Sequence, residues 1–347
     1  MDRPKNDLLL RAIEKKPIER TPIWLMRQAG RYMPEYRQLR EKAGDFKKFY
    51  KNIDLATKAS ILPYKLLGVD ATIIFSDILT PLEPMGFDFE FRQGEGPVFL
   101  NPVQTPEDTE RLKPLDVEKV YYVGEIIKGV NKELDRAIPT IGFCGAPFTL
   151  AAYLIEGKTS RDFKKAKAFM YDYPDEFKEL LDKLSDSLVD YLSFQIESGA
   201  DVVQIFDSWA GYLSPDDYKQ YALPAVKKII SKLKQKYSTP VIHFTKGVAG
   251  FLDDMITSGA DVYSVDWMID LKTVKEKVFP AASVQGNLDP VVLYASETVI
   301  REKVKEILDK WGKDSGHVFN LGHGLMPDME FRKVKYLVQV VKEESIR

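Results

Sequence analysis

The sequence has few of the residues that build disulfides and metal centres. Among its 347 residues there are one cysteine, Cys144, and three histidines. A single thiol excludes an intramolecular disulfide and a multi-thiolate metal site, and it favours a reducing compartment. No HxH, HExxH or CxxC pattern occurs, so we expect no bound metal. The formal net charge is only −2, which argues against nucleic-acid binding and for a small-molecule partner.

Long apolar runs are also missing. No stretch reaches the roughly 18 consecutive apolar residues of a membrane span, and the N-terminal stretch MDRPKNDLLLRAIEKK lacks the apolar centre of a signal peptide. We therefore expect a soluble, cytoplasmic protein with no membrane partner. No GxGxxG pattern follows the first apolar run, which removes the usual reason to predict a dinucleotide-binding fold.

A recurring unit is present instead: a helical stretch, a glycine, a short β-branched run and then a polar residue. Residues 54–68 form such a stretch, ended by Gly68 and followed by VDATIIFSD. The order returns in YLSFQIESGADVVQIFDSW and in FLDDMITSGADVYSVDW. Helices that alternate with continuous apolar strands predict a parallel sheet covered on both faces.

Eight short apolar runs are predicted to be strands of this sheet. They are 23–26, 71–75, 140–143, 201–206, 240–244, 261–265, 281–285 and 317–321. Eight units predict an α/β fold of the (β/α)8 TIM-barrel type, in a single domain that spans residues 1–347. In the segment FDFEFRQGEGPVFL, aromatic and polar residues alternate around a GEG turn, which predicts a β-hairpin inserted after strand two.

Polar residues at the predicted strand ends are the candidate functional groups, because barrel chemistry gathers at the carboxyl ends of the strands. They are Arg27, Arg31, Asp77, Tyr153, Ser208, Lys246 and His323. Two guanidiniums four residues apart after an apolar run suit carboxylate or phosphate groups. Together with the surrounding Phe and Trp residues, the set suits a flat, apolar ligand with several carboxylates.

Plainer explanations exist for several of these residues. Asp77 and Asp207 could cap the helices that follow them, and Tyr153 could belong to the core. His243 lies within a strand pattern and is better explained as a hydrogen-bonded core residue.

The sequence supports the two candidates near the later strands to different degrees. Gly322 and Gly324 suit a tight exposed loop around His323. Lys246 could form a Schiff base as in an aldolase, but one lysine among many is weak support.

Five motifs at predicted strand ends resemble the signature of the uroporphyrinogen decarboxylase family: MRQAGRYMPEYR, IIFSDIL, GFCGAPFTLAAYLIEG, FDSWAGYLSP and NLGHGLMPD. The resemblance implies an enzyme, a carboxy-lyase without a cofactor. Such an enzyme converts the four acetate side chains of uroporphyrinogen III to methyls, giving coproporphyrinogen III on the route to haem. It also implies a homodimer in which the two clefts face each other.

The resemblance further assigns roles by motif position. Arg27, Arg31 and Arg40 match arginines that bind substrate carboxylates, and Asp77 matches the aspartate that accepts hydrogen bonds from the pyrrole N–H groups. The remaining matches contact the side chains or the ring of the tetrapyrrole: Phe75, Phe143, Tyr153, Phe206, Ser208 and His323. Arg27 or Arg31 is also a candidate catalytic proton donor, although arginine is a poor general acid near neutral pH. Some relatives carry histidine where Trp209 stands, and we predict only packing for that residue.

Two alternatives stay open. A corrinoid-linked methyltransferase would share the fold but hold zinc with histidine and cysteines, whereas the fifth strand here ends in His243, Phe244 and Thr245. A non-catalytic tetrapyrrole carrier would keep the arginines and aromatics without a need for Asp77.

Overall fold

A computed structural model describes residues 3–92 and 94–347. Met1, Asp2 and Gln93, the last of which falls in the predicted hairpin, lie outside the described residues. The strands in the described part are β1 (Thr72–Ile73), β2 (Phe89–Arg92), β3 (Gly96–Phe99), β4 (Thr140–Gly145), β5 (Val202–Asp207), β6 (Val241–Thr245), β7 (Val262–Val265), β8 (Ser283–Gln285) and β9 (His317–Val318).

Helices occupy most of the connections between these strands. They are α1 (Leu8–Ile13), α2 (Pro34–Ala43), α3 (Phe46–Lys51), α4 (Ile53–Leu67), α5 (Tyr121–Glu133), α6 (Pro147–Glu156), α7 (Lys164–Asp172), α8 (Pro174–Glu197), α9 (Pro215–Asp217), α10 (Leu223–Lys236), α11 (Leu252–Met255), α12 (Leu271–Val278), α13 (Glu297–Trp311) and α14 (Phe331–Glu344). In the described residues, no helix is both long enough and apolar enough to cross a membrane.

Seven strands form one curled parallel sheet in the order β1-β4-β5-β6-β7-β8-β9, so sheet neighbours follow one another along the chain. β2 and β3 pair antiparallel between β1 and β4 in the chain. Residues on the inner face of the sheet form a core that also includes α1, which covers one end of the strands. Its members include Leu8, Leu9, Ile141, Val202, Ile242 and Val318.

The first predicted strand, IWLM, is reduced to a single bridge. Ile23 pairs in parallel with Phe319. Beyond this bridge side chains supply the hydrogen bonds: Met26 N–H donates to Asn320 Oδ1 at 3.0 Å, and Gln28 Oε1 accepts from the backbone N–H three residues before it at 3.1 Å. The apolar run predicted burial correctly, but the extended ladder was wrong because no pattern showed that two amide side chains would replace a neighbouring strand.

β1 and β9 are shorter than predicted for the same reason. Phe75 N–H donates to the hydroxyl of Ser60 at 2.8 Å, and Leu321 N–H donates to Asn320 Oδ1 at 2.8 Å. The helix predicted to stop at Gly68 does so: α4 ends there, and this glycine has a left-handed φ of 75°.

The repeated glycine-containing units share one set of contacts, which we call the aspartate clamp. In each repeat an aspartate at the start of a strand accepts the backbone N–H of the first paired residue of the adjacent segment. The three bonds measure 2.9, 2.8 and 2.9 Å and join Asp70 to Ile23, Asp201 to Thr140 and Asp261 to Val241. Each aspartate also pairs with a cation that precedes that adjacent segment: Arg20, Arg136 and Lys234. The clamps hold the starts of neighbouring segments together.

Candidate active site

A row of aromatic rings lies at the carboxyl ends of β4, β5 and β6. The ring centroids of Phe143 and Phe206 are 5.6 Å apart, and those of Phe206 and Phe244 are 5.7 Å apart. Phe206 and Phe244 stand opposite each other in register and pack on the inner core. The His323 ring follows at 6.2 Å from Phe244. The row forms an apolar surface that suits the face of a flat ligand.

Asp77 follows β1 and lies partly buried at the same end of the sheet. Leu79 N–H donates to its Oδ1 at 2.9 Å, so the capping alternative is right for one oxygen. Burial raises the pKa of Asp77 to about 6, while the Leu79 N–H and the positive charge of Arg27 act in the opposite direction. Within the described residues nothing bonds to the second oxygen, so it can accept from a ligand.

Arg27 holds an unusual backbone conformation beside Asp77. Its φ of 59° lies in the left-handed region, which residues with side chains rarely adopt. The side chain packs directly on Gly324, where an added Cβ would lie 2.4 Å from Arg27 Cδ. Gly30 is similarly close, since a Cβ there would lie 3.1 Å from the Arg27 carbonyl oxygen. Such conformations persist where the surroundings fix them, as they commonly do at functional sites.

The loop around His323 is packed, which corrects the expectation of a tight exposed loop. A Cβ on Gly322 would lie 2.6 Å from the backbone nitrogen of Trp267, and neither Gly322 nor Gly324 has a positive φ. Both glycines are therefore required by close contact and not by turn geometry. Burial lowers the pKa of His323 to about 3, and the charges of Arg27 and Lys246 act in the same direction. The imidazole is neutral at pH 7 and offers one donor and one acceptor nitrogen.

Tyr153 is buried on α6, with its ring 5.9 Å from that of Trp209. Burial and the negative charge of Asp77 raise the pKa of Tyr153 to about 12, so the phenol keeps its proton and can donate it in a hydrogen bond. Ser208 follows β5 and is half-buried. Trp209 packs on Tyr153 and Phe163, as predicted for a packing residue.

Arg31 and Arg40 lie further out, around Tyr36. Burial raises the pKa of Tyr36, and the charges of Arg40 and Arg31 oppose that effect. The Arg40 guanidinium lies 5.6 Å from the Phe46 ring, and the Phe75 ring packs on Tyr36 at 5.5 Å. The structure therefore groups the predicted residues in two layers, an inner one around Asp77 and an outer one formed by α2 and by Arg31, which precedes this helix.

The arginines of both layers lack carboxylate partners. In the described part of the chain, no ion pair involves Arg27, Arg31 or Arg40, whereas Arg20 and Arg136 each pair with an aspartate. Unpaired guanidiniums grouped around one cleft leave a local positive charge that the net charge of −2 conceals. An anionic ligand with several acidic groups is the natural counterpart.

Two other polar residues turn away from the cleft. Asp207 is fully buried and accepts from Thr149 Oγ1 on α6 at 2.9 Å, so the helix-capping alternative was wrong for it. Burial raises the pKa of Asp207 to about 7. His243 contacts Ser258 at 3.0 Å and Thr245 at 3.2 Å, which confirms its assignment as a hydrogen-bonded core residue.

A concavity of about 930 Å³ occurs at the opposite end of the strands, near Pro4, Pro240 and Ala282. Two of its three lysines are paired, Lys234 with Asp261 and Lys277 with an aspartate on α11, and the third, Lys15, donates to the backbone carbonyl of Ala281 at 3.1 Å. Among the described residues, no group of three or more His, Cys, Asp or Glu side chains is arranged to hold a metal ion. We therefore place the candidate site at the carboxyl ends of the strands, where unpaired cations and aromatic rings meet.

Fold and site together define an α/β enzyme whose cleft presents arginines, one carboxylate and aromatic rings to an anionic small molecule. The family model described as Uroporphyrinogen decarboxylase (URO-D) matches residues 4–344, and the chain belongs to this family. It is 53% identical to the uroporphyrinogen decarboxylase of Aquifex aeolicus and 44% identical to that of Hydrogenovibrio crunogenus. In both comparisons, 98% of each chain is covered.

Solved structures agree on the fold. A methyltransferase from Methanosarcina mazei superimposes with a TM-score of 0.79 at 22% identity, covering 99% of both chains. A B12-independent methionine synthase from Shewanella sp. W3-18-1 gives a TM-score of 0.55 at 12% identity, covering 84% of this chain and 86% of the other. At such identities the likeness concerns the fold alone.

Proposed function

We propose that the chain removes CO₂ from the four acetate side chains of uroporphyrinogen III and so produces coproporphyrinogen III. The observation that carries this proposal is the unpaired Arg27 beside Asp77, at the edge of an aromatic row, in a chain of the uroporphyrinogen decarboxylase family. Each part matches a part of the substrate. The rings face the tetrapyrrole, the arginines take its acids, and Asp77 takes its N–H groups.

The reaction needs a cationic intermediate. Direct loss of CO₂ from an acetate would leave a carbanion with nothing to stabilise it. A proton added to the adjacent pyrrole carbon turns the ring into an electron sink, and the C–C bond electrons move into that ring as CO₂ leaves. A second proton, added to the exocyclic carbon, yields the methyl group, and loss of the first proton from the ring carbon restores the pyrrole.

Asp77 stabilises this cation in the proposed mechanism. Its free oxygen accepts from the pyrrole N–H groups, which are more acidic once the ring is protonated. Hydrogen bonds to the ionised carboxylate favour that form, so bound substrate lowers the pKa of Asp77 from about 6. A carboxylate that is fixed in place before the charge develops costs little reorganisation during the reaction.

Arg27 binds the reacting acetate in this proposal, because it is the cation whose charge acts on Asp77. Arg31 and Arg40 hold further carboxylates at the outer layer, with Phe75 behind them. Tyr153, Ser208 and the neutral His323 offer hydrogen bonds to side-chain acids. A proton passed by Arg27 or Arg31 would have to be relayed by water, because guanidinium holds its own proton too firmly near pH 7.

We also infer that the segment at Ile23 closes the sheet into a single (β/α)8 barrel domain. Three contacts support this: the parallel bridge to Phe319, the bond from Asp70 N–H to the Ile23 carbonyl at 2.8 Å, and the aspartate clamp. Ile23 exchanges the same two hydrogen bonds with Asp70 as Thr140 exchanges with Asp201. The family resemblance adds two expectations, a homodimer and a cytoplasmic location, and sedimentation of the purified protein tests the first.

The decisive experiment is anaerobic incubation of the purified protein with chemically reduced uroporphyrin. We expect CO₂ release and stepwise loss of the acetate carboxyls in the product mass spectrum. A tetrapyrrole carrier would bind the compound and release no CO₂. Zinc at one equivalent per chain would favour the corrinoid-linked methyltransferase alternative and contradict the proposal.

A further inference from the structure

Lys246 is a cation of the cleft to which the proposed reaction gives no role. It directly follows β6, where Ile242 and Phe244 face the inner core. Side chains alternate along a strand, so Lys246 continues this inward-facing set, one step beyond Phe244 toward the mouth of the sheet. Its ammonium lies 5.9 Å from the centroid of the Trp267 ring.

The ammonium of Lys246 is unpaired. In residues 3–92 and 94–347 it takes part in no ion pair, while Lys234 and Lys275 nearby in the sequence each pair with an aspartate. Asp266 is close enough for Lys246 to lower its pKa, against burial, which raises it. The carboxylate of Asp266 is already engaged by the backbone N–H groups of Gly247 and Met268. Lys246 is therefore free to bind an external anion.

Close contacts place Lys246 and Arg27 on either side of His323. Gly324 packs on the Arg27 side chain and Gly322 packs on Trp267, beneath Lys246. The charges of both cations lower the pKa of the imidazole between them, in addition to burial. The result is a positive region with a neutral hydrogen-bonding group at its centre, which fits a carboxylate better than a neutral ligand.

We propose that Lys246 binds a propionate carboxylate of the tetrapyrrole, on the side of His323 away from Arg27. The inference rests on the proposed function, from which it takes the polycarboxylate ligand. Arg27 is the cation that acts on Asp77, so the reacting acetate belongs on its side. Lys246 lies on the other side, where it can bind a propionate at each step, because every pyrrole keeps its propionate through all four decarboxylations. Lys246 is thus a positioning residue for the substrate.

The test compares binding of two unreactive porphyrins, uroporphyrin and coproporphyrin, by fluorescence titration. Both retain the propionates, and only uroporphyrin has the acetates. For Lys246→Gln we expect the Kd of both porphyrins to rise by the same factor, about tenfold, as for loss of one charged hydrogen bond. Lys246→Arg should recover most of the affinity, and KM for uroporphyrinogen should rise with kcat nearly unchanged.

Lys65→Gln is the matched control, because Lys65 is exposed on α4. Equal Kd values for Lys246→Gln and Lys65→Gln would overturn the inference, as would weaker binding of uroporphyrin alone, which would assign Lys246 to an acetate. Thermal unfolding of each variant shows whether the fold is kept. A wild-type protein that binds both porphyrins but releases no CO₂ would refute the decarboxylase proposal, and the two Kd ratios would still decide the role of Lys246.

Discussion

Burial determines the protonation states of individual residues in the cleft. Burial raises the pKa of Asp77 to about 6 and lowers that of His323 to about 3. At neutral pH, Asp77 is therefore the ionised group of the inner layer that opposes Arg27, and His323 adds no positive charge. The carboxylate can respond to a cation that forms beside it without competition from a charged imidazole.

Asp77→Asn should lower kcat by about 100-fold or more, the usual cost of removing a preorganised electrostatic group. The melting temperature should stay equal or rise. The folded protein holds the Asp77 proton up to about pH 6, while the unfolded chain releases it near 3.8, so ionisation disfavours the folded state above that range. The amide removes this cost.

Steady-state kinetics and thermal unfolding at neutral pH measure both effects. Asp190→Asn is the control, since Asp190 is exposed on α8. Near wild-type turnover in Asp77→Asn would contradict the assignment.

The same carboxylate predicts a pH dependence. Because the proposed mechanism uses ionised Asp77, kcat/KM should fall as pH drops through about 6. Arg27 lowers the pKa of Asp77, so Arg27→Gln should move this midpoint to higher pH in addition to weakening binding. A pH profile for each protein checks this. An identical midpoint in both would show that the two charges do not interact.

At the scale of elements, loops fix the site where regular strands stop. The strand pattern in the sequence located Arg27, Asp77 and His323 at the carboxyl ends of the strands, because parallel strands in successive units all end on one side. It did not show that Arg27 would take a left-handed φ or that Gly324 would lie against it. Both features depend on contacts between segments almost 300 residues apart, which local propensity does not record.

The contact between Gly324 and Arg27 predicts a sensitive position. In Gly324→Ala the new methyl would meet Arg27 Cδ at 2.4 Å, so the guanidinium must move. A misplaced side chain at the reacting group commonly costs about 100-fold in rate, so we expect kcat/KM to fall by roughly that factor. Gly250→Ala is the control, since its Cβ would meet nothing nearer than 4.0 Å. Equal kinetics for the two variants would show that Arg27 need not be held there.

At the scale of the whole molecule, the aspartate clamps explain why the sequence repeats. The repeat predicted stacked helix–strand units correctly, and in three of these units an aspartate at the start of a strand forms a clamp. The identity of the clamp partners was not predictable. Arg20 lies 50 residues before Asp70, and the bond to Ile23 N–H exists only after the segments have come together.

Asp70 is the most buried clamp, with its side chain 2% exposed. Asp70→Ala leaves Arg20 without its carboxylate partner and the Ile23 N–H without an acceptor. We expect a loss of about 3–5 kcal/mol in the free energy of unfolding, as for a broken buried ion pair. Asp54→Ala, which breaks the exposed pair with Lys58 on α4, should cost less than about 1 kcal/mol. Urea denaturation separates the two, and similar midpoints would contradict a structural role for the clamp.

The clamps also predict which positions of a chain break allow the two pieces to reassemble. A break after Lys113 leaves the members of every clamp on one piece, whereas a break after Ser160 puts Asp201 on a different piece from Thr140 and Arg136. When the chain is divided at Lys113, each of the two pieces holds complete clamps before the pieces associate. We expect them to reconstitute activity at lower concentration than pieces divided at Ser160, which must build a clamp across the cut.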